Sequence, residues 1–253
     1  MKISVNIPSY KRPRVETLDY LPFCKVWVDA GEYEQYKAAN SGADIISVPK
    51  GIQGNVCRIR NYILDTEFNE NGADVVVIID DDIKAINRFI VQNGYGYTKK
   101  RVEPHEFMEF LEHYSSLCDE FGFKLWGINI NFDNMSYRHS APFSTISPIL
   151  GPFQAHLKNG IRYDEKLPLK EDYDLSLQHI QKHRGALRVN MYHYVCKQSK
   201  QAGGCATYRN YEREKEQFDS LQKKWGTNIV KRDKASKKEF DYNPIIKIPI
   251  RGI

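Results

Sequence analysis

The stretch Ala73–Ile83, ADVVVIIDDDI, sets five consecutive apolar residues, Val75 to Ile79, before three carboxylates, Asp80, Asp81 and Asp82. Such a run reads as a strand built for the interior, and in a parallel α/β sheet ligands bind outside the carboxyl ends of strands, where these acids fall. Side chains alternate along extended backbone, so Asp80 and Asp82 can face one way and Asp81 the other. Carboxylates on one side repel unless a positive charge lies between them, and the simplest candidate is a hard divalent cation with oxygen ligands. A cation held by few protein ligands keeps positions open for phosphate oxygens, which implies a metal-bound diphosphate. The plainer alternative is an Asp-rich helix cap or exposed turn.

Upstream of this stretch, strand-like and helix-like runs take turns. Strands are expected at Lys2–Ile7, Lys25–Val28, Asp44–Val48 and Asp74–Ile79, with helices at Arg14–Leu21, Glu32–Asn40 and Asn55–Phe68. The last helix carries Val56, Ile59, Ile63 and Leu64 as an apolar stripe. That β-α-β-α-β-α-β order points to an α/β domain with a mainly parallel sheet flanked by helices. Downstream, Gln92–Arg101 is polar and contains Gly and Tyr, the composition of a mobile loop, and a helix follows from Pro104 to Phe121 with Pro in its first turn. Further strands are expected at Lys124–Ile130, around Thr145–Leu157 and at Leu187–Val195, with helices at Glu171–His183 and Tyr208–Trp225.

Basic residues exceed acidic ones by five over 253 residues, which permits a polyanionic partner without requiring one. The five cysteines, Cys24, Cys57, Cys118, Cys196 and Cys205, form no Cys-x-x-Cys pair, as expected of a protein in a reducing compartment. No run is long and apolar enough to span a bilayer and no signal peptide is recognisable, so the expectation is a soluble, cytoplasmic protein without membrane association. Lys223, Lys224, Lys231, Arg232, Lys234, Lys237 and Lys238 make the C-terminal extension basic, either a solvated tail or a polyanion contact. The closing NPIIKIPIRGI is apolar and is expected to pack back on the body.

A second acidic constellation lies in RYDEKLPLKEDYDLSL, Arg162–Leu177. Glu171, Asp172 and Asp174 stand at the start of an apolar helix, where the helix dipole favours one carboxylate but does not need all of them.

In order, NIPSYKRP around Pro8–Pro13, the strand end Val28–Asp29, the helix with Arg58–Asn61, the Asp80–Asp82 triplet and RYDEKLPLKEDYDLSLQ resemble a GT-A glycosyltransferase over residues 1–205. Within that fold family, NIPSYKRP, VIIDDDI, KEDYDLSLQ and QAGGCATYRN are similar to the TET-associated glycosyltransferases of bacteriophages, relatives of the base J glucosyltransferases that decorate 5-hydroxymethylpyrimidines in DNA. The resemblance implies a GT-A, Rossmann-like domain with a nucleotide-binding half near residues 1–90 and an acceptor half near 104–205, and a C-terminal helix and basic tail, 206–253, on the same domain.

It further implies roles. Pro8, Ser9, Tyr10 and Arg12 would cradle uridine and ribose, and Asp29 would read the uracil. Arg58 and Asn61 would line the nucleotide pocket, Asp80 and Asp81 the nucleotide sugar. Asp80, Asp82 and His193 would hold manganese or magnesium. Asp172, beside Glu171, would be the general base of an inverting transfer from a UDP-sugar. Leu169 and Lys170 replace the glycines that commonly precede that acidic pair, a departure on the acceptor side. With 5-hydroxymethylcytosine in phage DNA as acceptor, Tyr95, Tyr97, Lys99, Lys100 and Arg101, with Lys231 and Arg232 of the tail, would supply stacking and phosphate contacts. The alternatives are a GT-A enzyme acting on polysaccharide or protein, and a non-catalytic DNA-binding module whose acidic turn is structural.

Overall fold

The structure, a computed structural model, describes residues 1–92, 96–130, 133, 137–196, 204–233 and 242–249. Tyr95, the first three residues of QAGGCATYRN, 201–203, and the lysines at 234, 237 and 238 lie outside the described residues. The body is a mixed α/β sheet in the order β3-β2-β1-β4-β9-β7-β10-β5-β6, with β8 paired to β10. The strands are β1 (Ile3–Pro8), β2 (Lys25–Asp29), β3 (Asp44–Val48), β4 (Val75–Ile79), β5 (Ile83–Gln92), β6 (Gly96–Arg101), β7 (Leu125–Asn129), β8 (Phe143–Ser144), β9 (Phe153–Leu157) and β10 (Leu187–Cys196). Pairing is parallel from β3 through β4 and between β7 and β10. β9 runs antiparallel between β4 and β7, and β5 and β8 run against β10. The sheet is therefore mainly parallel in strand direction.

Alternation along β4 divides the core. Val75, Val77 and Ile79 face one apolar layer with Val5, Ile7, Val26 and Val28, while Val76 and Ile78 face another with Trp27. Helix α3 (Phe107–Glu120) covers the first layer through Phe107, Phe110, Leu111 and Tyr114. Helices α2 (Val56–Asp65) and α4 (Glu171–His183) cover the second through Ile59, Ile63, Leu64, Leu175 and Ile180. Burying both faces of the strand explains its unbroken apolar run.

Caps set the helix ends that matter for function. Asn55 accepts from the amides of Cys57 and Arg58 and starts α2, and Arg184 ends α4 in the left-handed region at φ 66°. Helix α1 (Tyr33–Ala39) is short. Helix α5 (Tyr211–Trp225) joins the antiparallel pair β11 (Val230–Arg232) and β12 (Pro244–Ile246) around Leu167, Leu177, Phe218, Leu221 and Tyr242. Ile246 and Ile248 of the closing stretch pack there.

Three expectations are corrected. The helix expected at Arg14–Leu21 is a single 3-10 turn, Glu16–Asp19, because Thr17 is tied to the loop after β4: its hydroxyl donates to the Asp80 carbonyl (2.7 Å) and its amide to that of Asp81 (3.1 Å). The loop expected at Gln92–Arg101 is instead largely β6, which forms an antiparallel hairpin with β5. Its first strand escaped notice because the register shifts where Val195 and Cys196 meet Ala85 and Ile83, leaving Lys84 as an extra residue that disturbs the alternation. Of the strand expected around Thr145–Leu157, only Phe153–Leu157 forms.

Candidate functional site

The chain leaves β1 toward β2 and β3 on one side and returns to β4 on the other. The loops after β1 and β4 thus diverge at a topological switch point, where open α/β sheets form their ligand crevice. The β1 loop is fixed by a relay of donors. The Arg12 amide donates to the Tyr36 hydroxyl (3.0 Å), which lies 2.9 Å from Ser9 Oγ, and Ser9 Oγ donates to Asp81 Oδ2 (2.5 Å). Because each hydroxyl has one proton to give, Tyr36 donates to Ser9 in this chain. Arg12 Nη1 closes it on Asp81 Oδ1 at 2.9 Å. Gln53 Nε2 holds the carbonyls of Ser9 (3.1 Å) and Trp27 (3.0 Å) behind the loop.

Asp81, expected to line the nucleotide sugar, is buried here, with both oxygens engaged by Ser9 and Arg12 of the loop after β1. Burial raises its carboxyl above the usual range, against the pull of Ser9 and Arg12. Its neighbours differ. The Asp80 side chain is 40% exposed, with Oδ1 3.2 Å from Arg60 Nη2. Asp82 is half-buried, and burial, then the charges of Asp80 and Asp81, push its carboxyl up to about 7.

The facing wall is the start of α4. Glu171 Oε1 lies 3.2 Å from Arg60 Nη1. Asp172 accepts from the amides of Gly151 (3.1 Å, Oδ2) and Tyr173 (2.8 Å, Oδ1). Burial raises both carboxyls; the neighbouring Asp172 adds to the shift of Glu171, and the two amides restrain that of Asp172. The walls are joined: the Asp80 amide donates to the Pro152 carbonyl (3.0 Å), and Arg60 reaches both acids across the Tyr163 ring at 5.6 Å. Tyr194 of β10 comes up beside them, its hydroxyl raised by burial and by Cys196, Asp80, Asp172 and Asp82. A Cβ on Gly151, at φ +75°, would come within 2.5 Å of that hydroxyl, so only glycine fits there.

The other expected residues divide between the crevice and structural duties. Pro8 ends β1 and Asp29 ends β2, with Asp29 Oδ1 accepting from the Gly31 amide at 2.9 Å. The Tyr10 carbonyl accepts from the Gly204 amide (3.0 Å), which brings the chain after β10 back over the β1 loop. Arg58 and Asn61 are not with the acids. Arg58 pairs with Glu165 and the Gly51 carbonyl, and Asn61 clamps the backbone of Tyr163 in both directions. Arg60 is the residue of α2 that meets the acids, at Asp80 and Glu171.

His193 is not brought to Asp80 and Asp82 either. Alternation along β10 turns Tyr194 toward the acids and packs the His193 ring on Phe89 at 4.8 Å, under the β5–β6 hairpin. On that hairpin Lys99 lies over Phe89 (5.9 Å), Arg101 over Tyr20 (4.6 Å), and Lys100 stands 3.9 Å from Glu106 in solvent. Lys231 and Arg232 belong to β11, in the separate small sheet, with Arg232 over Tyr242 at 4.7 Å.

Sequence reasoning missed Arg60, Tyr194, Gly151, Thr17 and Gln53. A signal existed for Arg60 alone: it falls between Cys57 and Leu64 on the buried face of α2.

Among the described residues no three His, Cys, Asp or Glu side chains form a ready metal cage. Asp80 and Asp82 offer hard oxygen donors, and burial, then the charges of Asp80 and Asp81, leave Asp82 reluctant to ionise, which fits a manganese or magnesium ion that completes its shell with phosphate oxygens and water. A concavity lined by Lys2, Ser4, Lys25 and Glu67 and another lined by Gln222, Lys231, Arg232 and Ile245 hold none of these acids. Cys24, Cys57 and Cys118 are buried and Cys196 is half-buried. No helix among the described residues is long and apolar enough to cross a membrane.

No protein-family model matches the chain, and no curated protein sequence matches it. Solved structures with a similar course include A197 from STIV, at TM-score 0.42 and 9% identity over 79% of this chain and 87% of that one. Glucosyl-3-phosphoglycerate synthase from Mycobacterium tuberculosis, solved with Mn2+, UDP-glucose and glycerol 3-phosphate, gives TM-score 0.46 and 15% identity over 79% of this chain and 73% of that one. A nucleotide-diphospho-sugar transferase candidate from Desulfovibrio desulfuricans gives 0.41 and 12% over 89% and 98%. At these scores and identities the likenesses assign neither a reaction nor a residue to this chain.

Proposed function

We propose that the chain is a metal-dependent inverting glycosyltransferase that moves a sugar from a UDP-sugar to a hydroxyl, with 5-hydroxymethylcytosine in DNA as the acceptor that the sequence resemblance favours. The observation that carries the reading is the meeting of two acidic groups, Asp80 with Asp82 and Glu171 with Asp172, at the sheet's switch point, bridged by one buried guanidinium. Capping α4 or closing a turn would not gather them.

In this reading the loop from Pro8 to Arg12 and Asp29 receive the nucleoside, on a frame preset by Asp81, Ser9 and Tyr36. Asp80 and Asp82 would hold the divalent ion, whose charge neutralises the diphosphate as it leaves. Asp172 takes the proton from the attacking hydroxyl. Its carboxyl, raised by burial, is a stronger base than a solvated aspartate, while the amides of Gly151 and Tyr173 fix its orientation. Direct attack with one base and no covalent intermediate inverts the anomeric centre. Lys99 and Lys100 on β6, and Lys231, would meet phosphates of the acceptor strand.

Mass spectrometry of hydroxymethylated DNA incubated with the protein, manganese and a panel of UDP-sugars tests the whole reading. The expected product is a hexose adduct on the hydroxymethyl group. Transfer to carbohydrate or protein instead would keep the donor half and replace the acceptor. A melting temperature unmoved by UDP and manganese would remove the transferase reading altogether.

A further inference from the structure

Arg60 has a relation to Asp80 that its distances define. Its side chain is 5% exposed, with Nη2 3.2 Å from Asp80 Oδ1 and Nη1 3.2 Å from Glu171 Oε1. A guanidinium does not lose its proton in a protein, and withdrawing this one would strand a buried Glu171. Arg60 therefore stays charged and beside Glu171 whether or not a ligand is present. Asp80 then has two competing cations, the resident guanidinium and any divalent ion.

A bare ion bound to Asp80 would stand beside a fixed positive charge, in a partly desolvated cleft that screens little. An ion arriving with a diphosphate brings anionic oxygens that can lie against both cations, and a guanidinium fork suits phosphate as well as it suits carboxylate. Resting on the UDP-sugar reading, we propose that Arg60 is a positioning residue that makes metal loading depend on the nucleotide: it holds Asp80 in the free protein, opposes a lone divalent ion, and turns to the diphosphate when ion and nucleotide arrive together. Glu171 keeps its other nitrogen throughout, which ties the donor site to the base pair at the head of α4.

The test is manganese binding to the full chain, by calorimetry and by the electron paramagnetic resonance of free Mn2+, with and without UDP. The wild type should bind manganese weakly alone and more tightly with UDP. Arg60→Gln should bind manganese alone about tenfold more tightly, the equivalent of one charged hydrogen bond, and lose most of the tightening by UDP. Arg60→Lys, which keeps the charge without the fork, should retain the wild-type order with weaker UDP binding.

Should Arg60→Gln fail to fold, Arg60→Met combined with Glu171→Gln removes the charge together with the partner it would strand, and the same gain is expected. A folded variant of either kind that binds manganese no better than the wild type overturns the inference. So does a wild type that binds manganese equally well with and without UDP. If the wild type binds neither manganese nor UDP, the transferase reading falls with it; tight Mn–UDP binding without a gain in the variants removes this inference alone.

Discussion

Asp81 and Asp82 are consecutive, yet the protein treats their charges differently. Asp81 is spent on the fold: Ser9 and Arg12 take both oxygens, and behind them Tyr36 and Thr17 lock the loops after β1 and β4 together. Asp82 meets two carboxylates instead, and its own is pushed up to about 7 by burial and by those neighbours. The same division separates Arg60, held between acids, from Arg58 on the rim, and Asp172 at the crevice from Asp174, which is buried against Lys224 and Trp225. One set of charges builds the site, and the other is left for what enters it. A variant in the first set should cost stability, and one in the second function.

The largest separation is expected at Asp172. Asp172→Asn keeps the amide contact from Gly151 within reach but removes the base, so kcat should fall by about 10²- to 10⁴-fold, with UDP and manganese still raising the melting temperature. Turnover near that of the wild type would take the base role from Asp172.

Asp81→Asn should do the opposite. An amide has one acceptor oxygen where the carboxylate has two, so one of the contacts to Ser9 and Arg12 is lost; burial already disfavours the charged carboxyl, and the net loss expected in denaturant unfolding is about 1 kcal/mol. UDP binding should weaken only as far as the β1 loop loosens. If Asp81→Asn is as stable as the wild type but blind to UDP, Asp81 belongs with the available charges after all.

Why the sequence separates these sets only in part follows from the same geometry. The unbroken apolar run placed β4, its acids and the sheet class, because burial on both faces is written in consecutive residues. Helix α4 was legible from Glu171 to His183 for a similar reason, an apolar stripe beginning at acids. Arg60 was passed over because Arg58 and Arg60 look alike as letters, although they stand about 200° apart on the helix and only Arg60, four residues before Leu64, falls on the apolar side. His193 and Tyr194 differ by one step of a strand whose pairing with β7 shifts register just before them, between Val189 and His193, and no pattern of residue types fixes that shift. The β5–β6 hairpin was lost to the second shift, between Val195 and Cys196.

Asp82 offers a titration of the comparison. Its folded carboxyl near 7 lies above the unfolded value of about 3.9, so the native state holds the extra proton between those limits, and stability from this group is full at low pH and lost as pH rises toward 7. Without metal, Asp82→Asn should therefore be more stable than the wild type at pH 7.5, by about 1–2 kcal/mol after allowance for solvent screening, and the difference should vanish near pH 4. Unfolding by urea along a pH series measures it. A gap independent of pH would mean that Asp82 already has a partner.

The smallest effect concerns the acceptor edge, where the division between spent and available charge recurs within two residues. Arg101 lies against the Tyr20 ring at 4.6 Å, while Lys100 stands in solvent with Glu106 no nearer than 3.9 Å. Both had been expected to touch DNA, but their surroundings differ. Lys100→Ala should reduce the slope of log binding constant against log salt by about 0.7–0.9, one phosphate contact, and weaken binding to every sequence alike. Arg101→Ala should leave that slope unchanged and lower stability by about 0.5–1 kcal/mol through the lost cation–aromatic contact. The reverse pattern, with the slope falling for Arg101→Ala and steady for Lys100→Ala, would mean that a side chain packed on the protein's own aromatic ring still serves the acceptor, and the distinction drawn between Asp81 and Asp82 would not extend beyond the crevice.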